Sequence, residues 1–180
     1  KFRDELVKQT EKLKVGNPLE EGTDQGALVS KAHMEKVLSY IELAKKEGGK
    51  ILCGGFQVPR EGYFVQPTLI EGLAHTCRTN QEEIFGPVAT LIPFENEVEL
   101  IKMANVTEYG LSASVWTKDL EKANKMANQL EAGVVWINTW MLRDLRTPFG
   151  GVKNSGVGRE GGMQGMTFFS EVKTICVANP

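Results

Sequence analysis

Between Ser30 and Asn138 the chain alternates short β-prone apolar runs with amphipathic helical runs, and this alternation most limits what it can fold into. Met34, Val37, Leu38, Ile41 and Ala44 recur at helical spacing. Ser30 is suited to cap such a helix and Gly48-Gly49 to end it, so residues 31–47 read as a helix. Residues 2–14 read as another, stopped at Gly16-Asn17-Pro18. A third opens in a box-like start at Asn96 and Glu99, and a fourth covers 119–131. Lys50–Cys53, Tyr63–Ile70, Pro87–Phe94, Leu111–Trp116 and Val134–Asn138 read as strands between them. Strands interleaved with helices predict an α/β fold with a largely parallel sheet and flanking helices. A chain of 180 residues is enough for about one domain with a sizeable core.

Composition removes several functions. Twenty-one basic against twenty-three acidic side chains give a net charge of −2, without the basic face on which nucleic-acid affinity rests. No apolar stretch approaches the roughly 20 residues of a membrane span. The opening KFRDELVKQT mixes both charge signs and has no apolar core of a signal peptide. Cys53, Cys77 and Cys176 are widely spaced and odd in number, which suits neither a zinc site nor a disulfide framework and fits a reducing cytosol. His33 and His75 lack metal or triad spacing.

The pattern changes after Asn138. Residues 139–165 contain seven glycines and no lasting hydrophobic period, which points to a functional loop rather than a connector. Gly156-Val157-Gly158-Arg159-Glu160-Gly161 spells a dinucleotide fingerprint, yet no strand directly precedes it and only nineteen residues follow, so the match is a decoy. Phe168–Val177 is β-prone with little left to pair with locally, and is expected to be a strand docking on a distant sheet or a second subunit. Cys53 and Cys176 read as small core hydrophobes, while Arg78 beside Cys77 could lower that thiol's pKa. Asn105-Val106-Thr107, a glycosylation sequon, is read as idle.

Two stretches carry chemistry. In Gln81-Glu82-Glu83-Ile84-Phe85-Gly86-Pro87 a carboxylate can accept from ligand hydroxyls while the aromatic packs a flat ring; the plain alternative is a solvated turn opening a strand. In Trp140–Gly151 the guanidiniums of Arg143 and Arg146 can meet an anion, or Asp144 can simply pair with a neighbouring arginine at the surface.

EEIFGP at 82–87, YGLSASVWT at 109–117, GVVWIN at 133–138, PFGGVKNSGVGRE at 148–160 and EVKT at 171–174 together resemble the NAD(P)-dependent aldehyde dehydrogenases. KVGNP at 14–18 and GYFVQPT at 62–68 agree, so the resemblance runs the whole chain. It implies the C-terminal part of a longer subunit: a partial catalytic α/β domain over 1–162, and an oligomerisation strand with its lead-in over 163–180. The nucleophilic cysteine, general-base glutamate and oxyanion asparagine are expected before Lys1. No catalytic residue is therefore nominated here, and the 180 residues alone are expected not to turn over. In the family a thiolate attacks the aldehyde, hydride passes to the nicotinamide, and activated water cleaves the thioester.

Residue by residue, the resemblance gives Glu83 to the nicotinamide ribose hydroxyls, Phe85 to the nicotinamide ring, and Lys36 and His33 to the ribose. Phe149 is similar to an aromatic lining the substrate tunnel, and Arg143 stands where many members acting on simple aldehydes have an aromatic. An enclosed guanidinium calls for an anion. The expected substrate is therefore a carboxylated semialdehyde of the 2-hydroxymuconic or 2-aminomuconic type, held by Arg143 first and Arg146 second. NAD is the expected cofactor with NADP open, and the expected assembly is a homodimer or homotetramer through the terminal strand. A dehydrogenase for another aldehyde (betaine or fatty) and a non-catalytic oligomerisation module are the alternatives.

Overall fold

The computed structural model describes residues 1–179, and they fall into two compact units, Lys1–Phe94 and the chain from Glu95 onward. The first unit runs α1 (Phe2–Thr10), α2 (Lys31–Lys46), β1 (Lys50–Cys53), β2 (Thr68–Glu71), α3 (Arg78–Gln81) and β3 (Val88–Leu91). Helix α2 is its spine. Ser30 Oγ accepts from the His33 backbone N–H at the start. At the other end Gly48, at φ +91°, lets its own N–H reach Lys45 O while the Gly49 N–H reaches Ala44 O, which satisfies two terminal carbonyls. The apolar stripe predicted from spacing buries Met34, Val37 and Ile41 with Val65, and Ala44 with Ile70 and Leu73.

Strands β1 and β2 pair antiparallel and β2 and β3 parallel. Sense follows connection: residues 54–67 contain no helix and return the chain antiparallel, whereas the β2–β3 crossover passes through α3.

The second unit contains α4 (Glu97–Asn105), β4 (Tyr109–Gly110), β5 (Ser112–Val115), α5 (Leu120–Gln129), β6 (Val134–Ile137), β7 (Val152–Lys153) and α6 (Gly162–Phe168). Asn96 and Asp119 cap α4 and α5 through backbone N–H groups three residues on. Around the parallel β5–β6 pair lie Val115, Ala123 and Met126, with Leu100, Ile101 and Leu130 against them. Strands β4 and β7 pair antiparallel.

Three of the sequence expectations change. In place of one largely parallel sheet there are three small ones, with parallel pairs only where a helix bridges two strands. Phe168–Val177 forms no strand: Phe168 ends α6 and residues 171–179 enter no helix or strand, because β-propensity expresses itself only against a partner. Cys176 is consequently exposed rather than a core residue. Among the described residues no helix is long and apolar enough to cross a membrane, and no cluster of side chains suits a metal ion.

Candidate functional site

In the first unit, α2 and the 82–87 loop meet face to face. Residues 82–86 alternate like an extended chain: Glu82 and Ile84 turn inward while Glu83 and Phe85 stay exposed. Ile84 packs on the α2 core. Gly86 lies directly on Val37, where no side chain would fit. Two side chains one turn apart on α2 hold the loop's backbone, His33 Nε2 donating to Phe85 O at 2.7 Å and Lys36 Nζ to Glu83 O at 2.8 Å. A carbonyl can only accept, so His33 carries its proton on Nε2. The His33 and Phe85 rings stack at 5.8 Å between centroids.

This bracing fixes Phe85 at φ +55°, a left-handed conformation uncommon for an aromatic residue. Phe85 remains 73 % exposed, and it borders depressions of 540 and 300 Å³, one floored by Gly26, Leu28 and Pro87, the other by Thr79 and Glu83.

The two glutamates have separate roles. Arg78 donates to Glu82 through Nε and Nη2 at 2.6 and 3.0 Å, and the Tyr40 hydroxyl donates to it at 2.6 Å. These bonds, Arg78 foremost, hold the Glu82 carboxyl down at about 2. Glu83 keeps an exposed carboxylate with no hydrogen-bond partner among the described residues. An unengaged acceptor beside an exposed flat ring can take ligand hydroxyls while the ring packs a planar group. The adjacent Cys77 corrects the sequence reading: Arg78 is committed to Glu82, and burial pushes the thiol's pKa up.

In the second unit the glycine-rich segment folds back on itself. Phe149 and Glu160 form an antiparallel bridge through two backbone hydrogen bonds of 2.8 Å. Arg159 Nη1 donates to Gly151 O, and Trp136 Nε1 anchors the loop start at Leu142 O. Arg143 lies over the Phe149 ring, guanidinium carbon 4.3 Å from its centroid, and donates through Nη2 to Glu160 Oε1 at 2.5 Å. An apolar cavity of 340 Å³ opens beside Phe149 and Glu160, with Leu111, Phe168 and Phe169 on its walls.

Arg146 is not part of this group. It is 89 % exposed and bonded to Asp144, the surface pair that the sequence offered as the plain alternative. Thus His33, Lys36, Glu83 and Phe85 come together in one unit, and Arg143 and Phe149 in the other. The sequence names Glu160 and Gly86 only as members of motifs and Tyr40 not at all; the roles of all three come from the fold. The decoy fingerprint forms the return arm of the Phe149–Glu160 hairpin, after an antiparallel strand and before a seven-residue helix.

Residues 1–175 match the aldehyde dehydrogenase family. The chain belongs to this family. A 2-aminomuconic 6-semialdehyde dehydrogenase from Pseudomonas sp. is 48 % identical over 178 residues, covering 96 % of this chain and 36 % of that protein. A 4-trimethylaminobutyraldehyde dehydrogenase A from Danio rerio is 45 % identical over 183 residues, covering 98 % and 36 %. The solved NAD+ complex of an aldehyde dehydrogenase from Bacillus cereus superposes with a TM-score of 0.92 at 44 % identity, over 95 % of this chain and 35 % of that one. This aldehyde dehydrogenase chain therefore spans little more than a third of the length of the relatives it matches.

Proposed function

We propose that this chain is the C-terminal, substrate-side part of an NAD-dependent aldehyde dehydrogenase that oxidises a carboxylated semialdehyde of the muconic type to the acid. The carrying observation is Arg143, lying over the Phe149 ring with one of its five N–H donors engaged by Glu160 and the rest of its donor edge without an acceptor among the described residues. A guanidinium so held can take a substrate carboxylate in a charge-assisted pair. The name of the 48 % identical relative supports the same substrate class.

NAD, when bound, accepts a hydride from the aldehyde carbon. Toward it this chain offers Glu83 as an acceptor for ribose hydroxyls, Phe85 as a flat surface, and Lys36 and His33 as the braces that keep both in place. The nucleophilic cysteine and the general base belong to sequence before Lys1 in this reading, and residues 163–180 serve assembly into a homo-oligomer.

A second reading, a trimethylammonium aldehyde as substrate, draws on the Danio rerio relative and on Trp140, which is exposed and packed edge-on against Trp136. Kinetics of the full-length enzyme separate the two. Arg143→Ala should lower kcat/KM for 2-hydroxymuconic semialdehyde by about 10-fold or more relative to a neutral aldehyde, the worth of one charge-assisted hydrogen bond. Equal losses on both substrates reject the carboxylate reading.

A further inference from the structure

We propose that Glu160 is a specificity-setting counter-anion: it aims the Arg143 guanidinium and, by its charge, limits how strongly that guanidinium attracts an acidic substrate. The inference rests on the carboxylated-aldehyde reading above and adds a residue to it.

Three observations carry it. The Glu160 backbone is held by both bridge hydrogen bonds to Phe149, so the hairpin keeps the base of its exposed side chain within reach of Arg143. That carboxylate engages Nη2 of Arg143, while the central carbon of the same guanidinium lies over the ring of Phe149. Two separate contacts, one at Nη2 and one at the guanidinium carbon, restrict the orientation of a planar group. Finally, Nε and Nη1 have no acceptor among the described residues, and the Arg143 side chain is one-third exposed, so a second carboxylate can reach it without displacing the first.

The two effects of Glu160 oppose each other in binding. Orientation favours an incoming carboxylate, because the open donor edge is held ready and little side-chain freedom is lost. Charge disfavours it, because Arg143 and Glu160 together are neutral and the anion meets a negative group as well as a positive one. The substitutions that separate them are known in advance. Glu160→Gln keeps an oxygen that accepts from Nη2 and removes the charge. Glu160→Ala removes both.

The measurement is the KM of the full-length enzyme for 2-hydroxymuconic semialdehyde divided by its KM for a neutral aldehyde of similar length, with kcat recorded separately. Glu160→Gln should lower this ratio by about threefold, the scale of a partly exposed ion pair, and Glu160→Ala should raise it. In an Arg143→Ala background, Glu160→Gln should leave the ratio where Arg143→Ala alone puts it, since the charge acts through the guanidinium.

A ratio unchanged by Glu160→Gln, or moved in the same direction by Gln and Ala, overturns the proposal. The Gln enzyme alone decides it if the Ala enzyme does not fold. A ratio that Arg143→Ala leaves untouched instead removes the carboxylate reading itself, so the two failures are told apart by different enzymes.

Discussion

Gly86 and Val37 are in backbone-to-side-chain contact so close that no β-carbon fits between them: one built on Gly86 would lie 2.5 Å from Val37 Cγ2 and 3.0 Å from Cγ1. The contact seats the 82–87 loop on α2 and brings the carbonyls of Glu83 and Phe85 within reach of Lys36 and His33.

Gly86→Ala should therefore act at a distance. The extra methyl must lift the loop or displace Val37, at a cost of about 1–3 kcal/mol. In the full-length enzyme the thermal midpoint should fall and the KM for NAD rise together, since the displaced loop carries Glu83 and Phe85. The double variant Gly86→Ala/Val37→Ala should recover part of both losses, because the second change makes room for the first. Purely additive losses would count against the packing account.

The carboxylate of Glu82 gives a pH signature. Its bonds from Arg78 and Tyr40 depress its pKa from the ordinary 4.5 to about 2 in the folded chain. A depressed carboxylate pKa contributes stability above the unfolded value and loses it as pH falls through the folded one. The difference in thermal midpoint between the natural chain and Glu82→Gln should thus be full above about pH 5 and shrink toward about pH 2. Tyr40→Phe removes one donor, so in that background the difference should close at a higher pH. A difference independent of pH across this window would show that Arg78 and Tyr40 do not hold the ionised form.

What the sequence disclosed follows from how local each signal is. Helix α2 is legible almost residue for residue, because Ser30, the apolar spacing of Met34, Val37, Ile41 and Ala44, and the Gly48-Gly49 stop all lie within twenty residues. The importance of 82–87 is legible as a motif, but the division of labour between Glu82 and Glu83 is not. It depends on Tyr40, more than forty residues away, and on which side of an extended chain faces α2. The same holds for Arg143. Its charge invites an anionic partner, yet pairing with Glu160 is set by the register of a hairpin in a stretch without periodicity. The antiparallel sense of β1–β2 follows from the helix-free residues 54–67, against the largely parallel sheet that the alternation suggests, and β-propensity in Phe168–Val177 carries no information about a partner.

That terminal run supports the last prediction. Phe169, Val172, Ile175 and Val177 are each at least three-quarters exposed, and none of residues 171–179 enters a helix or strand. Four large exposed apolar side chains, three of them on a segment outside any helix or strand, form the kind of surface that another chain can cover, by strand addition in the simplest case. In the full-length enzyme, ending the chain at Ser170 should convert the homo-oligomer proposed above to a smaller species in light scattering coupled to size-exclusion chromatography. Val172→Asp with Ile175→Asp should weaken assembly in the same direction while leaving the segment in place. An unaltered mass for both variants would mean that assembly rests on some other surface and that residues 163–180 have a different role.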